Sequence, residues 1–137
     1  MNTQVTFELA KLLKEKGYKD KNILGTVRLS EPKYYDPNGI IHGIKDAFEE
    51  KNYKIEDCFN APTIAEVVMW LYEKHGIWIV VNPHKGEDDL GKPFMEFDPE
   101  VWSFTNECIF HNTKLLYFNS PIEAYETAIE YVLNNLV

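Results

Sequence analysis

The chain has 137 residues, 45% of them hydrophobic, and a formal net charge of −8. This length fits a single domain over residues 1–137, large enough to bury a core without a metal ion or a disulfide. The composition excludes a disordered chain, and the acidity argues against direct nucleic-acid binding, because a phosphate backbone needs a basic partner face.

The first predicted element is a helix over residues 3–17. Its apolar side chains recur at helical spacing: Val5, Leu9, Leu12 and Leu13. Thr3 or Thr6 can cap its start, and Gly17 supplies a left-handed stop.

The next segment carries weaker signals. Residues 26–29 and 33–35 have the composition of short strands, and the Pro-Asn-Gly at 37–39 is typical of a turn. A returning strand is predicted from Ile40. A short helix is predicted over residues 44–52.

A second helix is predicted from Thr63, which acts as the N-cap of a capping box with Glu66 and is followed by a stop at Gly76. This helix is apolar nearly all round, which is typical of a helix packed on more than one side. Five consecutive apolar residues, 77–81, follow directly and predict a strand covered on both faces or an interior strand of a sheet. We therefore expect this helix and strand to be the centre of the fold.

The part of the chain that follows predicts an antiparallel meander. A polar loop over residues 84–92 comes first. Residues 94–97 and 101–104 alternate as strands around a turn at 98–100, and 107–119 predicts a second hairpin.

The last helix begins at Ser120, with Pro121 at its first position and Glu123 two residues further on. The order of elements predicts an α+β fold, an antiparallel sheet of about four or five strands with three main helices packed mainly on one face.

Histidine and cysteine spacing gives no sign of a metal or catalytic centre. The candidates are His42, His75, His84, His111, Cys58 and Cys108. No two of them lie at metal-ligand spacing on a helix, and Cys108 and His111 point to opposite faces of a predicted strand. The acidic pair Asp88-Asp89 is interpreted as part of a solvated loop. We therefore predict no catalytic, cofactor-binding or metal-binding residue and expect a non-enzymatic protein.

The residues at the start of the chain and the two cysteines indicate a subcellular location. Residues 1–6 are polar and do not resemble a signal peptide. No apolar run approaches the ~20 residues that a membrane helix needs. We expect a cytoplasmic protein with reduced thiols and no membrane contact.

Four aromatic side chains form the candidate interaction surface: Trp70, Tyr72, Trp78 and Trp102. They are either core residues or the part of the apolar set that one small domain cannot cover, and exposed Trp and Tyr are favoured at protein interfaces. The two ends of the chain carry opposite charge: residues 1–30 hold six bases and three acids, and residues 98–137 six acids and one base. These charges are interpreted either as two solvated helix faces or as ends that attract each other, within a monomer or between subunits.

Three blocks of the sequence carry a family resemblance: 10-AKLLKEKG-17, 61-APTIAEVVMWLYEKHGIWI-79 and 120-SPIEAYETAIEYVLNNL-136. They resemble a family of short uncharacterised proteins encoded by intestinal anaerobic bacteria and their phage-like elements. The resemblance implies a phage or mobile-element context, and it implies no activity, cofactor or catalytic residue.

The preferred hypothesis is a non-enzymatic protein-interaction module that binds a protein partner or itself, with a homodimer expected. An alternative is a small-molecule-binding domain or weak enzyme whose pocket lies between sheet and helix, lined by Trp78, Trp102 and Tyr72. A third hypothesis is an acidic decoy that occupies the nucleic-acid site of another protein.

Overall fold

A computed structural model of the chain describes residues 3–19, 32–104, 108–111 and 118–137, with only the backbone described for 108–111. Across these residues the chain forms three α-helices and two antiparallel sheets, so the predicted α+β class is confirmed. Two compact units are present, one ending at Thr63 and the other spanning Ile64–Val137, and each carries one sheet. The expectation of a single domain stays a prediction.

Helix α1 spans Phe7–Glu15 and confirms the first predicted helix. The Thr6 hydroxyl accepts a hydrogen bond from the Leu9 amide at 3.3 Å, which caps the start of the helix. Gly17 follows the helix with φ of +86°, the left-handed conformation expected of a helix stop. The side chains that α1 buries are Leu9, Ala10 and Leu13.

The first sheet contains β1 (Lys33–Tyr35), β2 (Ile41–Gly43) and β3 (Phe59–Asn60), all antiparallel and in the order β2-β1-β3. Between β2 and β3 lie a π-helix, Lys45–Glu50, and a 3₁₀ helix, Ile55–Asp57. The π-helix occupies the position of the helix predicted over 44–52. The strand predicted over residues 26–29 lies outside the described residues.

Aromatic contacts join α1 to this sheet. The Phe7 ring lies 5.4 Å from the ring of Tyr35 on β1 and 5.5 Å from the ring of Phe59 on β3. The Tyr35 hydroxyl donates to the carbonyl oxygen of Val5 at 2.6 Å. Short strands are marginal on their own, so this packing supplies much of the support of the first sheet.

The second unit contains two helices and the longer sheet. Its elements are α2 (Ile64–His75), β4 (Ile77–Glu87), β5 (Pro93–Ser103), β6 (Cys108–His111) and α3 (Pro121–Asn135). The strand order is β4-β5-β6, and both pairings are antiparallel. The Ser120 hydroxyl accepts from the Glu123 amide at 3.2 Å, so the predicted start of the last helix is confirmed.

Helix α3 packs on β4, β5 and α2. On the sheet, the buried side chains Ile77, Ile79 and Val101 share one face. The helices contribute fully buried apolar side chains to the same core: Ile64, Val67, Leu71, Ala124, Ala128, Ile129, Val132 and Leu133. The opposite face of the β4–β5 hairpin carries Trp78 and Trp102 directly across from each other.

The strands are divided between two sheets of three strands each, whereas the sequence pattern predicted one sheet of about four or five strands. Each sheet is assembled from strands on its own side of α2 in the chain, because β3 pairs with β1. The helices are divided accordingly: α1 packs with β3, and α2 and α3 pack with β4.

The β4–β5 hairpin is longer than predicted. Residues 84–87 continue β4, so the predicted polar loop over 84–92 was wrong in extent. The predicted turn at 98–100 was also wrong, because β5 runs through Pro99, opposite Val81. The Phe97 amide donates away from β4, to Phe118 at 2.9 Å. By alternation the nitrogen of Pro99 faces the same side, so its missing N–H does not interrupt the β4–β5 ladder.

Two hairpins are closed by the same five-residue turn, DPNGI at residues 36–40 and DDLGK at residues 88–92. In each turn the first aspartate accepts from the backbone N–H groups two and four residues later, at 2.8–3.0 Å. Gly39 and Gly91, three residues after the aspartates, have φ of +85° and +76°. Glycine adopts this backbone conformation without the strain that a Cβ adds.

The two turns allow a matched test of what a side chain at the glycine position costs. Gly91→Ala should lower the free energy of unfolding by about 1–2 kcal/mol, because only left-handed strain is added and no atom lies within 4 Å of the new Cβ. Gly39→Ala should cost more, because its Cβ would lie 2.9 Å from Cδ1 of Phe7. Urea denaturation of the two variants measures the difference, and equal losses would contradict the Phe7 contact.

Candidate functional site

A group of exposed apolar side chains lies where α2 meets the β4–β5 hairpin. Tyr72 on α2 is 42% exposed, Trp78 on β4 is 41% exposed, and Phe104, which directly follows β5, is 69% exposed. The Tyr72 ring lies 5.3 Å from that of Trp78 and 5.5 Å from that of Phe104, both nearly edge to face. Met69, one turn before Tyr72, is 44% exposed. These four side chains are called the aromatic surface below.

Local structure explains why these rings meet. Gly76 has φ of +66° and connects α2 to β4 without a loop, which brings Tyr72 beside the start of β4. The alternation of β5 places Phe104 opposite Gly76, on the same face as Trp78. The Phe104 ring lies over Gly76, in the space that a Cβ would occupy. The glycine therefore ends the helix and leaves room for the ring.

The structure places the four aromatic residues singled out in the sequence differently. Tyr72 and Trp78 are exposed and in contact with each other. Trp102 is half-buried, and its indole N–H donates to Oε2 of Glu100 at 3.0 Å. Trp70 is buried and packs edge to face on His75, so it lies in the core and not on the aromatic surface.

Sequence reasoning did not single out Phe104 or Met69 as surface residues. The signal for Phe104 was its alternation with Trp102, which extends the pattern of β5 by one residue beyond Ser103. Met69 lies three residues before Tyr72 on α2, so helical spacing places both on one side. The pocket expected among Tyr72, Trp78 and Trp102 stays a prediction, and the rings of Tyr72 and Trp78 are in direct contact.

A second cluster lies in the first unit and is built around His42 of β2. Its Nε2 is 2.9 Å from Oδ2 of Asp36, which belongs to the hairpin turn. Its Nδ1 is 2.5 Å from Oδ2 of Asp46, which belongs to the π-helix. Asp36 is only 1% exposed, and the hydroxyl of Tyr53 also donates to its Oδ2, at 3.5 Å. These four side chains are called the His42 cluster below.

The two carboxylates determine what His42 can do. Its hydrogen bonds to Asp36 and Asp46 raise its pKa above the ordinary value, against the opposing effect of burial. When the imidazole is protonated, both ring nitrogens donate, and neither has a lone pair for a metal ion or for a substrate proton. In that form the His42 cluster holds one cation between two carboxylates inside the first unit.

Burial alone would raise the pKa of Asp36. Hydrogen bonds from His42 and from the amides of Ile40 and Asn38 outweigh that effect, so the pKa lies below its ordinary value. The sequence contained part of this signal, because an aspartate at the first position of a Pro-Asn-Gly turn commonly accepts from the backbone. The pairing with His42 depends on the register of β1 and β2, which the sequence does not specify.

Cys58 has the properties of a structural thiol. It is buried, and burial raises the pKa of its thiol, with a further increase from the charges of Asp36 and Asp57. The Lys14 ammonium donates to the carbonyl oxygen of Cys58 at 2.9 Å and acts in the opposite direction on the thiol. A buried thiol with a raised pKa is a poor nucleophile at neutral pH.

The remaining candidate ligands are dispersed. Within the described residues no group of three or more His, Cys, Asp or Glu side chains is arranged to hold a metal ion. His84 lies 3.7 Å from Oδ2 of Asp98, and His75 packs on Trp70. Asp88 uses one carboxylate oxygen to hold its turn.

Comparisons of the chain with protein-family models, curated proteins and solved structures gave no match. The family resemblance suggested by the sequence blocks therefore stays a prediction. Among the described helices, none has both the length and the apolar character to cross a membrane.

The thiol chemistry can be tested in a Cys108→Ser variant, in which Cys58 is the only thiol. Cys58 should react with an aromatic disulfide reagent more than about tenfold slower in the native protein than in urea, because the native thiol is buried and protonated. The double variant Cys58→Ser/Cys108→Ser supplies the blank. Equal rates with and without urea would show that Cys58 is accessible and reactive in the fold.

Proposed function

We propose that this protein is a non-enzymatic interaction module that self-associates through the aromatic surface. The main support for this proposal is that Tyr72, Trp78 and Phe104 are exposed and form one contiguous set of rings. Tyr and Trp are enriched among the side chains that contribute most to protein–protein binding. Rings already packed on one another lose little further freedom on binding, which reduces the entropic cost of association.

A second copy of the chain is the proposed partner. A two-fold interface places the same patch of both subunits in contact, so the apolar side chains of the aromatic surface would meet their own copies. A stable interface buries about 800 Å² on each partner, more than four side chains supply. Neighbouring residues of α2 and β5 would complete the contact.

The charged ends of the chain give weaker support. Lys11 pairs with Glu8 at 2.9 Å on α1. The ammonium of Lys14 is bound to the carbonyl oxygens of Glu56 and Cys58. Two of the N-terminal bases are thus engaged within their own unit, so the proposal depends on the aromatic surface.

Phe104→Ser should weaken the dimer about tenfold or more, because it removes the most exposed ring of the surface, and truncating a central interface side chain commonly costs ~2 kcal/mol. Sedimentation equilibrium at micromolar concentration measures the effect. Leu90→Ser is the matched control, since Leu90 is 94% exposed but lies in the 88–92 turn. A monomeric wild-type protein, or equal effects of the two substitutions, would contradict the proposal.

The salt dependence of dimerisation distinguishes an apolar contact from attraction between the charged ends of the chain. If association is apolar, added NaCl should strengthen it, because salt screens the repulsion between copies that each carry a net charge of −8. If the charged ends drive association, salt should weaken it. Sedimentation at low and high ionic strength measures the sign, and weakening by salt would contradict a contact formed by the aromatic surface.

A further inference from the structure

The His42 cluster connects three consecutive pieces of the first unit. Asp36 lies in the turn of the β1–β2 hairpin, His42 lies in β2, and Asp46 lies in the π-helix. Tyr53 follows the π-helix, and its ring centroid is 5.6 Å from that of His42. The imidazole is therefore the common partner of groups from the turn, the π-helix and the segment after it.

The hydrogen bonds of Asp36 show why the proton on His42 matters. One carboxylate oxygen accepts from the amides of Asn38 and Ile40, and the other faces His42 and Tyr53. The carboxylate is almost fully buried, and a buried negative charge is costly without a positive partner. A neutral imidazole carries one N–H, so it would present a lone pair to one of its two carboxylates.

We propose that protonated His42 is a proton-dependent latch that holds the β1–β2 hairpin to the π-helix, and that residues 36–51 open when the imidazole loses its proton. The device belongs to the first unit and does not depend on the aromatic surface. The proton is the ligand of this latch, and the moving part is residues 36–51, which contain both Asp36 and Asp46.

The surroundings of His42 determine the direction of the effect. Asp36 and Asp46 face its nitrogens, Tyr53 lies against its ring, and Tyr34 lies opposite on β1. Two further groups, Lys51 and Glu50, act on Asp46, and Cys58 lies near Asp36. The groups in direct hydrogen-bond contact with the imidazole are both acidic, so they favour its cationic form.

The sign of the pH dependence follows from linkage. Because the folded-state pKa of His42 is raised, the folded segment holds a proton that the opened segment releases above the ordinary histidine pKa of about 6.5. The stabilisation is complete below about pH 6.5 and is lost as pH rises through the folded-state pKa. The lowered pKa values of Asp36 and Asp46 have the opposite effect on pH dependence. The stability that these carboxylates contribute is present above the ordinary aspartate pKa and is lost as pH falls through their folded-state pKa values.

Hydrogen exchange on the full chain tests the latch. Suitable reporters are the amides of Ile40, bound to Asp36, and Lys51, bound to the carbonyl of Asp46. After correction for intrinsic exchange, their opening constant should rise by up to about tenfold per pH unit above pH 6.5, the limit for one released proton. Amides of α3 report the other unit and should not follow this rise.

Asp46→Asn keeps a hydrogen-bond acceptor beside His42 but removes one negative charge. It should lower the pH at which the opening constant levels off, and so reduce the total rise above pH 6.5, and it should lower the titration midpoint of the His42 ring in NMR spectra. Asp57→Asn removes a charge from the 3₁₀ helix of the same unit and is the matched control. The latch would be refuted by a His42 midpoint at or below about 6.5 in the wild-type protein. An opening constant of residues 36–51 that does not depend on pH would also refute the latch. So would equal changes of the His42 titration midpoint in the Asp46→Asn and Asp57→Asn variants.

Discussion

The packing of α3 on the face of the β4–β5 hairpin that carries Ile79 and Val101 is the constraint on which the second unit depends. Helix α3 packs on both strands, and the face that carries Ile79 and Val101 is buried. Because strand side chains alternate, the same register turns Trp78 and Phe104 to the other face. The core and the aromatic surface are therefore two results of one strand register, and a shift of one residue would exchange them.

Local chemistry made much of this fold predictable. Ser120 and Gly17 act as cap and stop as expected, because both depend on residues within one helical turn. The helix over Ile64–His75 begins directly after the predicted cap and ends at Gly76. Turn chemistry was partly recognised at residues 37–39, but its recurrence at 88–92 was not, since no proline marks the second copy.

The errors in the meander share one cause. Pro99 suggested a turn, yet a proline fits a paired strand when its nitrogen faces away from the ladder. Residues 84–87 lack the apolar alternation of a half-buried strand because this part of the hairpin is mostly exposed. In both places the side-chain pattern reports burial, whereas the pairing of β4 with β5 depends on the backbone and on the Asp88 turn.

The candidate sites differ in how far the sequence could reveal them. Tyr72 and Trp78 stood out by residue type, but separating them from Trp70 required the packing of α2, which buries Trp70. The His42 cluster was less visible. His42 and Asp46 are four residues apart, but one lies in a strand and the other in a π-helix, and Asp36 is brought near by the hairpin. Only tertiary structure shows that one imidazole bridges two acids.

Gly76 contributes both to the chain reversal after α2 and to the aromatic surface. Its left-handed backbone ends α2, and its missing side chain admits the ring of Phe104. A variant that places any larger residue at this position must displace that ring as well as strain the chain reversal. A substitution at this one buried position would therefore change the outside of the molecule, because the ring of Phe104 would have to leave its place on the aromatic surface.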